Sequence, residues 1–205
     1  MISLIGVGIL GYYFSEINSE NNNQLDTINT VTVSPEDEAE FASDEEEEEE
    51  AAPHDILLGK FTLEELDSGT NGNWFKQNYK NALLDEQVVG EIQNNLQNKN
   101  LSMRVFMGTW CADSQKEVPA LIKILEQVNF DKSKVTLEGV DEHKTFQHLS
   151  EEEIKSLNVY NVPTIIIYDA AGNELNRFVE FPQETLEKDL LKIVSGQDYK
   201  HVYDF

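Results

Sequence analysis

Cysteine is nearly absent from this chain: Cys111 is the only one in 205 residues. A single thiol excludes an intramolecular disulfide and any cysteine-rich zinc site. Its position also excludes a lipid-modified cysteine near the start of the sequence. Positive charge is absent from residues 1–59, which hold fifteen Asp or Glu and no Lys or Arg. Residues 60–205 hold twenty-four acids against fifteen bases, a net of −9, so most of the total charge of −24 is N-terminal. Neither part has the basic face that a phosphate backbone requires, which argues against nucleic-acid binding. There is no glycine-rich phosphate loop and no serine–histidine nucleophile motif. His143 and His148, near Asp141 and Glu142, are spaced unlike any common ligand pattern and read as a solvated loop. No metal or cofactor is called for.

The length suggests one domain with appendages. Residues 1–15 begin with an uncharged apolar run, Met1 to Phe14. A spanning helix needs about 20 apolar residues. A secretory signal opens on basic residues and closes on small ones, and both are missing here. The run reads as a membrane anchor or signal whose basic start lies upstream of Met1, because apolar residues are seldom left uncovered at a chain end. This is expected to make it an exported or membrane-anchored protein of the periplasm or cell envelope; the alternative is a cytoplasmic protein with a stray hydrophobic end. Residues 16–54 are rich in Asn and then in acid, with Glu45 to Glu50 consecutive. Few apolar groups and strong like-charge repulsion leave little to offset chain entropy, so this segment is expected to be a disordered linker.

The folded domain is expected over 55–205. Thr62-Leu63-Glu64-Glu65 fits a capping box for a short helical turn, which Gly69 and Gly72 should interrupt. Apolar spacing predicts helices over 74–84 and 85–96, with Trp74, Phe75, Tyr79 and Leu83, then Val88, Val89, Ile92 and Leu96, facing inward. Then come a strand over 101–107, a helix over 111–128 and a strand over 135–140. A helix capped by Ser150 should run to Leu157. Strands over 164–169 and 174–179 are joined by a turn at Ala171-Gly172-Asn173, and a helix over 183–194 stops at Gly196. The order β-α-β-α-β-β-α implies a central mixed sheet between helical layers. Tyr199 to Tyr203 reads as a docked tail without evident chemistry.

Two local motifs carry chemical meaning. One is a hydrophobic strand running into Trp110-Cys111-Ala112-Asp113-Ser114 at a helix start, with Pro119 eight residues beyond the cysteine. The other is Val162-Pro163-Thr164, opening the next core strand. A cysteine in the first helical turn meets unpaired N–H groups and the positive end of the macrodipole, and both favour thiolate, the nucleophilic form. Together the motifs and the element order resemble the thioredoxin-like superfamily over residues 74–205, and within it bacterial proteins with a single-cysteine W-C-x-D-S loop. The resemblance implies a cis Val162–Pro163 bond lying against Cys111, and a peptide partner pairing with the extended backbone there. It implies Cys111 and Ser114 as catalytic residues, with Trp110, Ala112, Asp113, Val162, Pro163 and Thr164 around the substrate.

Three departures bear on function. Ser114 stands where the family has its second, resolving cysteine, so a mixed disulfide at Cys111 must be released by an external thiol. Val105 stands where the family carries a buried carboxylate. Asp113 places negative charge near the sulfur, opposing the helix dipole. The expected activity is that of a monomeric monothiol oxidoreductase, exchanging disulfides or oxidised thiols of proteins or small molecules through Cys111, with the Ser114 hydroxyl bonded to the sulfur. The alternative is a redox-inactive binding module that uses the same groove to hold a client.

Overall fold

The computed structural model describes residues 55–205. The apolar segment 1–15 and the acidic linker 16–54 lie outside the described residues. Among the described residues, no helix is long and apolar enough to cross a membrane.

The chain enters through a short strand, β1 (Gly59–Phe61), then α1 (Leu63–Leu66), α2 (Gly69–Asn81) and α3 (Glu86–Leu96). The alternating part follows: β2 (Ser102–Met107), α4 (Ala112–Gln127), β3 (Val135–Gly139), α5 (Glu151–Leu157), β4 (Thr164–Tyr168), β5 (Glu174–Val179) and α6 (Leu186–Ser195). The sheet order is β1-β3-β2-β4-β5. β2 runs parallel to β3, and the other neighbouring pairs are antiparallel. This is the α/β architecture with a mixed central sheet that the element order implies.

Alternation along the strands divides the core in two. Met103, Val105 and Met107 of β2, with Ile165 and Ile167 of β4, face the larger cluster, which includes Phe75, Val89, Ile92, Leu121, Leu125, Leu190 and Ile193 from the helices. On that side α2 packs on α4 and α3 on α6. Phe106 and Ile166 face the other way, into a smaller cluster with Val140, Phe146, Val159 and Val162. Trp110 and Cys111 border this smaller cluster, so the tryptophan–cysteine loop sits on it at the C-terminal end of β2.

Two expectations about the N-terminal helices need correction. Thr62 forms its capping box with Glu65, but the glycines do not end the helical region; they make the corner into α2. A Cβ at Gly72 would lie 2.6 Å from the Asp67 carbonyl oxygen, so only glycine lets α2 fold back this closely on α1. Because α2 starts and stops early, Leu83 falls in the link to α3 and is 94% exposed rather than inward-facing. The edge strand β1 is an addition, pairing Gly59 to Phe61 with Gly139 to Leu137.

Candidate functional site

The strand β2 ends at Met107, and Gly108, Thr109 and Trp110 turn the chain into α4. Each side chain of this turn has a fixed role. The Trp110 indole lies across Gly108, where an added Cβ would sit 2.5 Å from its ring, and its Nε1–H donates to the Val140 carbonyl at 2.9 Å. Thr109 is fully buried; its hydroxyl donates to the Asp55 carbonyl at 2.9 Å and accepts from the Leu57 N–H at 3.3 Å. The Gln115 amide donates to the Thr109 carbonyl at 2.7 Å. The loop is thereby pinned to the end of β3, to the start of the domain and to α4.

Cys111 occupies the N-cap of α4 and is half-buried. An N-cap side chain stands beside the first-turn amides, but the sulfur caps none of them. Its thiol donates instead to the Val162 carbonyl at 3.2 Å. The Val162–Pro163 peptide is cis, and both residues are buried. Thr164 is buried too; its hydroxyl donates to the Asn161 carbonyl at 2.6 Å, and its backbone joins β4 to Phe106 of β2 and Val179 of β5. The two motifs, fifty-one residues apart at the bonded pair, thus meet at the sulfur. Ala112 is exposed and Asp113 half-exposed in the first turn of α4.

Ser114 does not take the place expected for it. Its side chain is fully buried, and its hydroxyl accepts from the Gly108 N–H at 3.2 Å. The backbone of the turn claims the oxygen, while the sulfur faces the Val162 carbonyl.

Pro119 explains another contact. Proline has no N–H, so the Gln115 carbonyl four residues earlier lacks its helical donor. The Asn78 side-chain amide of α2 donates to that carbonyl at 2.9 Å.

The sequence reading missed a buried ionic group on the sheet. Val105 faces the larger core, but Glu138 on the adjacent strand is fully buried on the opposite face. Its carboxylate accepts from Arg104 at 2.6 and 2.9 Å and lies 2.6 Å from His148 Nε2. Burial pushes the Glu138 carboxyl pKa up, but the hydrogen bonds of Arg104 and His148 outweigh it and the net displacement is downward. His148 lies in an exposed loop, as expected, but its ring turns inward to hydrogen-bond the Glu138 carboxylate. The legible signal was alternation in Leu137-Glu138-Gly139, which sets Glu138 on the face opposite Leu137. Two further buried carboxyls, Glu117 and Asp189, are displaced upward, in each case chiefly by burial. Asp189 accepts from the Gln183 N–H at 2.7 Å and from the Tyr199 hydroxyl at 3.1 Å, which docks the C-terminal tail. Among the described residues, no group of three or more His, Cys, Asp or Glu is placed to hold a metal ion.

A family model for thioredoxin matches residues 62–192, a span that contains both the Trp110–Ser114 and the Val162–Thr164 motifs. Solved structures with similar backbones include a protein of unknown function from Pseudomonas aeruginosa, 19% identical, covering 61% of this chain and 81% of that one with a TM-score of 0.44. They also include the NTD_N/C domain of the alkylhydroperoxide reductase AhpF from Enterococcus faecalis, 16% identical, covering 58% and 57% with a TM-score of 0.37. No curated protein matches the chain.

Proposed function

The chain belongs to the thioredoxin family, and on that premise we propose that it is a monothiol member that engages disulfides or oxidised thiols through Cys111. The observation that carries this reading is the placement of a half-buried thiol at the N-cap of α4, 3.2 Å from the Val162 carbonyl of the cis Val162–Pro163 segment. Attack on a substrate disulfide needs the thiolate. Once the proton leaves the Val162 carbonyl, the sulfur is free to turn to the first-turn amides of α4, and the carbonyl is free to accept from an extended peptide. With serine at 114, no second thiol lies in the loop, and the mixed disulfide waits for an external thiol.

The test is mass spectrometry of the full chain treated with bis(2-hydroxyethyl) disulfide. A single adduct on Cys111, stable until glutathione is added and absent in Cys111→Ser, is expected. Installing a thiol with Ser114→Cys should shorten the lifetime of that adduct. Spontaneous release in the unmodified protein, without added thiol, would defeat the monothiol mechanism.

One observation favours a second reading. The Cys111 thiol makes a donor bond within the fold, and a serine hydroxyl would make the same bond. A groove that only holds a client would keep its affinity in Cys111→Ser, whereas thiol exchange would be abolished. Export or membrane attachment through residues 1–14 belongs to the same proposal, with protein or small-molecule thiols and disulfides as partners. Fractionation of cells expressing the full chain tests the attachment; recovery wholly in the cytosol would remove it.

A further inference from the structure

Beyond the cis Val162–Pro163 segment the groove has a wall built from two distant parts of the chain. Glu180 follows β5 with φ of +66°, a left-handed conformation that a residue with a side chain keeps only where its surroundings impose it. The Glu180 N–H donates to the Pro163 carbonyl at 2.7 Å, so its backbone is fixed one residue from the carbonyl that holds the thiol. Its carboxylate Oε2 accepts from the Asn161 amide at 3.2 Å and from the Tyr203 hydroxyl. Oε1 receives no hydrogen bond from the described residues. Tyr203, from the C-terminal tail, meets Phe181 edge-on with centroids 6.3 Å apart, and both rings are substantially exposed. Tyr160, beside Asn161, is 72% exposed.

Asp113 stands half-exposed in the first turn of α4, two residues from Cys111. The Tyr203 hydroxyl is pushed above its ordinary pKa mainly by its bond to Glu180, with a smaller contribution from the charge of Asp113. Of the nearby cations, Lys116 pairs with Glu117 at 2.9 Å and also lies within reach of the Asp113 charge, and Arg177 pairs with Glu174 at 2.6 Å. Beside the cis segment stand exposed aromatic rings and the Glu180 carboxylate, with the His201 ring 6.4 Å from that of Tyr203, and rings edged by carboxylate suit ammonium and guanidinium groups.

We infer that the site selects cationic disulfides, those whose sulfur is flanked by Lys, Arg or another ammonium group, and that Glu180, Tyr203 and Asp113 determine this preference. The inference rests on the thiol-exchange reading. The exchange it modulates is balanced: Cys111–SH and R–S–S–R give Cys111–S–S–R and R–SH. One S–S bond forms as another breaks, the proton of Cys111 ends on the leaving thiol, and no outside oxidant or reductant takes part. The wall acts on the approach and seating of R, before the bond is made.

The experiment measures second-order rates of Cys111 modification in the full chain with three small disulfides. Cystamine carries two ammonium groups, bis(2-hydroxyethyl) disulfide is neutral and 3,3′-dithiodipropionate carries two carboxylates. Each rate is divided by that of an uncharged cysteine amide with the same reagent, which removes intrinsic reactivity. At low ionic strength cystamine should exceed the neutral disulfide by about tenfold and the dianion should be slowest, with the spread shrinking as salt is added. Glu180→Gln and Asp113→Asn should each lower the cystamine preference about threefold, with folding of both variants checked by melting. Normalised rates that are equal for the three reagents would overturn the inference. So would a preference left intact in both variants, since the acidic N-terminal segment would then be its source. Failure of Cys111 to react with any of the three would remove the thiol-exchange reading itself, and this inference with it.

Discussion

Glu138 has no exposed surface, and Arg104 and His148 converge on its carboxylate. Its folded pKa lies below the unfolded value, so its contribution to stability is complete above the unfolded pKa and is lost as pH falls through the folded one. Glu117 and Asp189 have the opposite sign: burial raises their pKa values, so their charged forms oppose folding at neutral pH and the opposition fades on acidification. Glu138→Gln should cost about 2 kcal/mol at pH 7, because it leaves Arg104 half-buried beside a neutral amide. The difference in melting temperature between wild type and variant should narrow as pH drops below about 4. A difference constant from pH 7 to pH 3 would mean that only packing was lost. This group was hard to find in the sequence because Arg104 lies thirty-four residues before Glu138, and His148 sits in a loop without periodic patterning. Ser114 was legible as a departure from two cysteines, but the direction of its hydroxyl depended on where the Gly108 N–H points.

At the scale of elements, α4 contains a proline and depends on another helix to complete it. Asn78 of α2 supplies the donor that Pro119 withholds from the Gln115 carbonyl. Asn78→Ala should destabilise the domain by about 1 kcal/mol. In a Pro119→Ala background the same change should cost clearly less, since an alanine there brings its own N–H to the Gln115 carbonyl. Equal costs in the two backgrounds, read by urea denaturation, would refute this coupling. The alternating elements were largely legible: the strand expected over 174–179 is β5 as found, and the helix expected over 111–128 differs from α4 by one residue at each end. Long apolar runs and β-branched residues carry that signal. β1 gave none, since three residues with no alternation become a strand only by pairing with β3. The start of α2 was misread because glycine weakens helices in general, whereas at Gly72 close approach to Asp67 decides.

At the scale of the whole molecule, the meeting of Trp110–Ser114 with Val162–Thr164 was legible only through resemblance to a family, because periodicity does not report which loops face each other. The wall made by Glu180 and Tyr203 was not legible, since the tail after Tyr199 has no pattern. The start of the domain was equally silent, yet Asp55 and Leu57 bind Thr109, and the Asn71 side chain adds a 2.7 Å bond to the Asp55 carbonyl. A chain beginning at Asp55 is expected to melt with the full-length protein, and one beginning at Lys60 several degrees lower, as the Thr109 hydroxyl loses both partners. Equal melting temperatures for the two shortened chains would show that these bonds contribute nothing. The clasp at Thr109 also has a mechanical consequence. A pull exerted through residues 1–54 would arrive at Asp55 and Leu57 before it reached any strand, and the residue they hold is two positions from Cys111. Tension would strip the clasp first and slacken the loop that carries the thiol while the sheet still bore no load, so the chain's point of entry would serve as a lever on the Cys111 sulfur.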